Sequence, residues 1–233
     1  MTAPSIAAGL KLLAGGSLTG PLNALAPLFE RASGHKLSIH FDSTPNLIKQ
    51  ATSEPFDVAI VPVDVFKNAD AKAKFVAGPT TDIARVGYSI AVKAGVPKPD
   101  IGTPAAFKKA LLKTPSVAFL PESAVGAYIL KVFERLGIAE AMKAKTKVAA
   151  TPSAIAPMVA KGEAGLGIFL TNVLTAPGVD IAGPFPGELQ QDLVFTASVT
   201  AASTNAAAAK ALIDYLRSPE AKAVIAAKGM TAG

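Results

Sequence analysis

The chain has 233 residues, half of them hydrophobic and 17% charged, with a formal net charge of +6. That length and apolar content suit one large folded unit or two of ordinary size and exclude a disordered chain. With no cysteine and His35 and His40 as its two histidines, disulfides and thiolate chemistry are excluded, and a zinc site or serine–histidine hydrolase is poorly supported.

From the N-terminus, "MTAPSIAAGLKLLAGG" lacks the basic start and long apolar stretch of a signal peptide. The small residues Thr2–Ala8 suit the start of a mature chain after cleavage. "LKLLAGG" (10–16) reads as a strand that ends in a glycine turn, and "PLNALAPLFERASG" (21–34) as a helix. Leu22, Leu25, Leu28 and Phe29 share one face of it, Pro21 suits its first turn, and Gly34 is its C-terminal cap. "KLSIHF" (36–41) alternates as a strand. "TPNLIKQATS" (44–53) opens with a hydroxyl at the N-cap followed by proline, a helix start. "FDVAIVP" (56–62) is continuously apolar, like a strand covered on both faces, and "DVFKNADAKAKF" (64–75) is the next helix.

"TDIARVGYSIAVKAG" (81–95) reads as a strand longer than one sheet requires. The spacing then predicts a helix over 103–113, a strand over 116–121, and a helix over 122–137 that is entered through small residues and stopped by Gly137. A strand over 146–150 follows, then a helix over 151–165 made irregular by Pro157. A strand over 166–170 leads into a short helix at Thr171–Leu174. A long strand returns over 193–203, and two amphipathic helices over 205–229 break at Ser218-Pro219. This alternation predicts an α/β chain of two lobes, each a mixed, mostly parallel sheet flanked by helices. Two crossing strands form the hinge. Lobe I comprises residues 1–84 plus 200–233, and lobe II residues 85–199.

One feature recurs: a strand, a small or hydroxyl-bearing turn, then a helix N-terminus. It occurs at Gly15-Gly16-Ser17, at Asp42-Ser43-Thr44-Pro45, at Glu122-Ser123-Ala124-Val125-Gly126 and at Thr151-Pro152-Ser153. Each hydroxyl alone is explained as a helix cap. Several helix N-termini aimed at one cleft would form an anion site without any formal cation, because their N–H groups lack partners and carry partial positive charge. A nucleotide loop fails on spacing: Pro21 follows Gly20 where a phosphate-binding loop needs Lys, and "GGSLTG" is no Gly-x-Gly-x-x-Gly. Arg85 sits in an otherwise apolar strand, either as a surface arginine, snorkelling or paired with Asp82, or as a fork for a ligand carboxylate. His35 reads as structural, and His40 as a satisfied strand residue. Asp42, Asp64 and Glu122 follow strand ends, where a general base could sit, although cap roles also explain them.

"LLAGGSLTGPLNALAPLFERASGHKLSIHF" resembles the opening of the periplasmic molybdate-binding proteins. The likeness continues through "FDVAIVP", "PESAVGAYILKVFERLG", "GEAGLGIF" and "ALIDYLRSPEAKAVIAAKGM". It implies a two-lobed periplasmic binding fold that closes on a ligand. By that resemblance the family's oxyanion contacts fall on Ser17, Thr44 and the backbone near Val125, with Ser123 and Gly126 in the same turn. The next backbone donor falls on Pro152, which has no N–H, and the family's tyrosine falls on Leu170. Each of those two missing hydrogen bonds costs a buried oxyanion about 1–3 kcal/mol, so a small organic carboxylate replaces molybdate as the expected ligand. Ser153, Asn172 and Arg85 are the expected replacement donors.

The function expected from this resemblance is capture of a small anion for a membrane ABC permease by a periplasmic monomer whose signal peptide has been removed. It needs no cofactor and no metal. The alternative is an aconitate isomerase-like enzyme on the same scaffold, with Asp42 or Glu122 as its proton carrier. Lys11, Lys36, Lys67, Lys72, Lys74, Lys108 and Lys109 are scattered without aromatic neighbours in sequence, so they read as a solvated surface and not as a nucleic-acid site.

Overall fold

The computed structural model describes residues 7–233, so most of the Thr2–Ala8 stretch lies outside the described residues. The chain divides into two compact units: one runs to Arg85 and resumes over Val194–Gly233, and the other is Val86–Leu193.

In the first unit, β1 (Gly9–Gly15) leads through a 3-10 turn at Gly16–Leu18 into α1 (Thr19–Ser33). This helix ends where Gly34 turns left-handed at φ 76° and its N–H bonds back to Glu30, a conformation that glycine adopts without strain. β2 (Lys36–Asp42) pairs parallel with β1, with Gly15 opposite Asp42. α2 (Thr44–Ser53) follows, and β3 (Val58–Pro62) pairs parallel on the other side of β1. The predicted 64–75 helix is instead a 3-10 turn over Val63–Lys67 and a one-turn α3 (Ala69–Lys72). Asn68 separates them: it is extended, and its side chain accepts the Ala71 N–H, which stops one helix and starts the next. β4 (Thr81–Lys93) then carries the chain out of this unit.

The second unit opens α4 (Pro104–Lys113) with Thr103 capping the Ala106 N–H. β5 (Val117–Phe119) leads to α5 (Ala124–Arg135), and α6 (Ala139–Lys145) to β6 (Thr146–Val148). A 3-10 turn at Pro152–Ala154 precedes α7 (Ile155–Ala160), β7 (Leu166–Leu170), α8 (Thr171–Leu174) and β8 (Val179–Pro184). β6 and β7 flank β5 in parallel, while β4 runs antiparallel to both β7 and β8. Tyr88 heads an aromatic chain: its ring lies 4.8 Å from Tyr128 and 5.5 Å from Phe185, which lies 5.0 Å from Phe107. Gln190 fixes the start of this chain by accepting the Tyr88 N–H and donating to the Tyr88 carbonyl, both at 3.1 Å. Gly87 makes room for it, since a β-carbon there would stand 2.6 Å from the Gln190 amide nitrogen.

β9 (Asp192–Val199) brings the chain back, followed by α9 (Ala206–Leu216), α10 (Pro219–Ala227) and β10 (Thr231–Ala232). The sequence places the return boundary at 199/200, but the structure places it at 193/194. The reason is pairing: Phe195 to Val199 lie antiparallel to Pro62 to Val58 of β3, which ties most of β9 to the first unit. One face of that sheet buries Leu13, Ala59 and Val61 against Leu47 and Ala51 of α2 together with Val65 and Phe75. Asp57 closes the far end of the sheet. Its buried carboxylate accepts the Lys11 N–H at 2.9 Å, the Ser203 hydroxyl at 2.7 Å and the Asn205 amide at 3.3 Å.

Thr196, opposite Val61 on β9, is fully buried, and its hydroxyl has no hydrogen-bond partner among the described residues. Thr196→Val keeps the shape and removes the stranded hydroxyl. It is expected to stabilise the chain by about 1 kcal/mol, a rise of about 2–4 °C in melting temperature for a chain of this size. A lowered melting temperature would show that this hydroxyl is satisfied.

Candidate functional site

In the first unit the parallel trio β2–β1–β3 brings two of the predicted turns side by side. Because Gly15 pairs with Asp42, the Gly16–Leu18 turn and the start of α2 leave the sheet at the same edge. The approach is close: a β-carbon on Gly16 would lie 3.4 Å from the Asp42 carbonyl oxygen. Ser17 is half-buried within its turn, and Thr44 is buried at the first position of α2. The N-cap of α2 is therefore Ser43, not Thr44 as the sequence predicts. Ser43 makes no side-chain cap bond. The first main-chain bond of α2 runs from the Leu47 N–H to the Ser43 carbonyl, so the N–H groups of Thr44 and Asn46 have no acceptor within the helix.

Asp42 supports this turn from behind. One carboxylate oxygen accepts the Ser43 N–H at 2.6 Å and the Asn46 amide at 2.8 Å, and the other accepts the Gln50 amide at 3.2 Å. Partial burial works against its charge, but the bonds from Asn46, Ser43 and Gln50 outweigh that and hold its carboxyl below the usual aspartate range. A carboxylate so engaged is a poor general base. Asp64 is spent on an ion pair with Lys67 at 2.6 Å. Arg85 stands on β4 opposite Thr231 with its side chain exposed and, among the described residues, makes no ion pair with Asp82. The surface reading fits Arg85.

In the second unit the parallel strands β6, β5 and β7 bring the other two turns and the start of α8 to one sheet edge. Ser123 is the N-cap of α5: its hydroxyl accepts the Gly126 N–H at 2.9 Å and donates to the Leu120 carbonyl at 2.8 Å. Ser123 and the Gly126 N–H are thus spent on building the turn, and Ala124 and Val125 keep the N–H groups without helix acceptors. Gly126 lets α5 sit directly on the chain that enters it; an added β-carbon would strike the Leu120 carbonyl oxygen and stand 2.7 Å from the carbonyl carbons of Leu120 and Pro121. Glu122 is exposed beside this turn. Thr151 and Ser153 are exposed with their hydroxyls 3.0 Å apart, flanking Pro152.

Leu170 is fully buried opposite Tyr88, and Thr171 and Asn172 follow it as the half-buried start of α8. Thr171 carries a link that sequence alone misses. Its hydroxyl donates to the Gly87 carbonyl at 3.1 Å and lies 2.6 Å from the hydroxyl of Ser89, which is buried. Since Thr171 has one hydroxyl proton, Ser89 is the donor between them. The one serine within the apolar run "GYSIAV" is the signal that could have exposed it. Among the described residues no group of three His, Asp or Glu side chains is placed to hold a metal ion.

Each unit thus exposes the same device, helix N-termini and hydroxyls along the C-terminal edge of three parallel strands, which is suited to oxyanions and carboxylates. The family comparison agrees with that class. The model of the bacterial extracellular solute-binding proteins matches residues 10–231, and the chain belongs to that family. An aconitate isomerase from a Pseudomonas species is 32% identical over 95% of this chain and 87% of its own. The molybdate-binding protein ModA of Azotobacter vinelandii is 29% identical over 96% of this chain and 90% of its own. The solved periplasmic molybdate-binding protein of Azotobacter vinelandii superimposes with a TM-score of 0.76 at 22% identity, covering 95% of this chain and 98% of that one. Among the described residues no helix is long and apolar enough to cross a membrane.

Proposed function

We propose that this chain is a solute-binding protein whose ligand is a small organic polycarboxylate, gripped by main-chain N–H groups and hydroxyls without a formal cation. The observation that carries this reading is the pair Pro152 and Leu170. Proline has no N–H to offer at the start of its 3-10 turn, and Leu170 is apolar and fully buried. A compact oxyanion that relied on donors at both places loses about 1–3 kcal/mol for each. A longer, flatter anion spreads its charge over several carboxylates and so depends less on any one donor. The relative whose name specifies aconitate, a tricarboxylate, is 32% identical, against 29% for the Azotobacter molybdate-binding relative. Delivery by a monomer to a membrane ABC permease outside the cytoplasm completes the proposal.

The same relative favours a second reading, an isomerase that shifts the double bond of aconitate. That reaction takes a proton from the methylene carbon, moves the double bond, and returns a proton to the former vinyl carbon. Asp42 is engaged through both oxygens, so exposed Glu122 is the better base on this reading. Thermal shift with cis-aconitate, citrate and tricarballylate beside molybdate and tungstate tests the first reading. The acids are expected to stabilise the chain, by about 2.7 kcal/mol at a hundredfold excess over Kd. Stabilisation by molybdate and tungstate alone would overturn it. Chromatography of cis-aconitate incubated with the protein decides the second: accumulation of trans-aconitate supports the isomerase, and none removes it.

A further inference from the structure

His40 is an exposed histidine on β2, two residues before Asp42 and on the same face of the strand. Its Nε2 lies 2.7 Å from the Gln50 amide nitrogen and 3.5 Å from the Asp42 carboxylate. An amide nitrogen can only donate, so in this arrangement Nε2 is the bare, accepting nitrogen and the ring proton is on Nδ1. Gln50 therefore bridges the ring and the carboxylate with one NH2 group. Its amide oxygen is buried with no hydrogen-bond partner among the described residues.

We propose that Asp42 is the positioning residue of the Thr44 turn and that His40 switches its hold by gaining or losing a proton. A proton on Nε2 turns the acceptor into a donor. The Gln50 NH2 is then expelled from the ring, and the imidazolium closes on Asp42 directly. Gln50 swings away from the ring and leaves the Asp42 oxygen they shared to the imidazolium. Asp42 meanwhile keeps Ser43 and Asn46 on its other oxygen, so the rearrangement is transmitted to the first turn of α2 without unfolding it. The ionisable side chains on the packed elements are Lys36 and Asp42 on β2, Lys49 and the C-capping Glu54 on α2, Lys11 on β1, and Glu30 and Arg31 on α1. Lys36 is paired with Glu30 at 2.9 Å, and among the described residues Asp42 is the carboxylate within 4.0 Å of a His40 ring nitrogen. The new positive charge screens Asp42 beneath the anion-binding turn, so anion affinity rises as pH falls.

This inference rests on the anion reading of the Thr44 turn, and two measurements separate the two. The first needs no ligand: NMR titration of the free protein follows the His40 ring beside the Ser43 backbone and the Asn46 and Gln50 side-chain amides. All are expected to move with one midpoint, and in Asp42→Asn the Ser43 and Asn46 amides are expected to lose that dependence. Amides that stay flat while the ring titrates would overturn the switch. The second is the ratio of cis-aconitate Kd values for His40→Gln and wild type between pH 5.5 and 8, in which protonation of the ligand cancels. The ratio is expected to rise about 3- to 10-fold toward low pH, the effect of one unit charge a few ångströms away at the protein surface. A flat ratio with the acid bound would overturn the regulatory role. If no acid binds, the anion reading of this turn fails, while amides that move with the ring still support the switch itself.

Discussion

Gly126→Ala is expected to destabilise the chain by about 3 kcal/mol, at the upper end of what one added methyl group does to a packed site. The new β-carbon would stand 2.7 Å from the carbonyl carbons of Leu120 and Pro121 and closer still to the Leu120 oxygen. Those atoms are backbone, so no side chain can swing aside. Relief requires α5 to lift from the Leu120–Pro121 turn, which breaks the Ser123 cap and moves the Ala124 and Val125 N–H groups. Stability and ligand affinity therefore fall together. Gly20→Ala is the matching control: nothing lies within 4 Å of its added carbon, and alanine within α1 is expected to gain about 0.5–1 kcal/mol. Urea unfolding of both variants measures the contrast. A Gly126→Ala midpoint equal to wild type would show that α5 does not rest on the turn before it.

The double substitution Ser17→Ala with Thr44→Val is expected to weaken binding of a polycarboxylate by about 10- to 100-fold per hydroxyl, the range of one hydrogen bond to a charged group. Thr44→Val preserves volume in a buried position, and Ser17→Ala removes one oxygen from a half-buried turn, so the unfolding midpoint serves as the check on folding. Calorimetric titration of the single and double variants measures the loss. Unchanged affinity in a folded double variant would remove these turns from the binding surface.

Much of the fold was legible because its punctuation is strong. Pro219 and Pro104 each occupy a helix start with a hydroxyl residue directly before them, and Ser218 and Thr103 cap the N–H groups that this pattern predicts. The same dipeptide misleads at Thr44-Pro45. There the proline is the second helical residue, and Asp42 captures the Ser43 N–H, which shifts the start of α2 one residue earlier. α6 and β8 carried no readable pattern: α6 buries Met142 alone, and β8 is half-buried along nearly all its length, so neither shows a period.

The candidate site was harder to read than the fold. Its best donors are main-chain N–H groups, which every residue but proline possesses, so the sequence shows where they are missing, at Pro152, more clearly than where they act. Ser123 illustrates the converse: its hydroxyl looks like a ligand contact in sequence, yet it is consumed by Gly126 and Leu120. The Asp42 cluster depends on α2 folding back on β2, which places Asn46, Gln50 and His40 around one carboxylate. The place of Asp42 after a strand end already allowed a cap role, but the part played by His40 becomes visible when strand and helix are seen together.

The most direct measurement is calorimetric titration of the wild-type protein with cis-aconitate and with molybdate under identical buffer and pH. Binding of the tricarboxylate at least a hundredfold tighter than molybdate is the expected result, following from the donors missing at Pro152 and Leu170. Molybdate binding as tight as or tighter than cis-aconitate would contradict it, because the remaining turns would then suffice for a compact oxyanion.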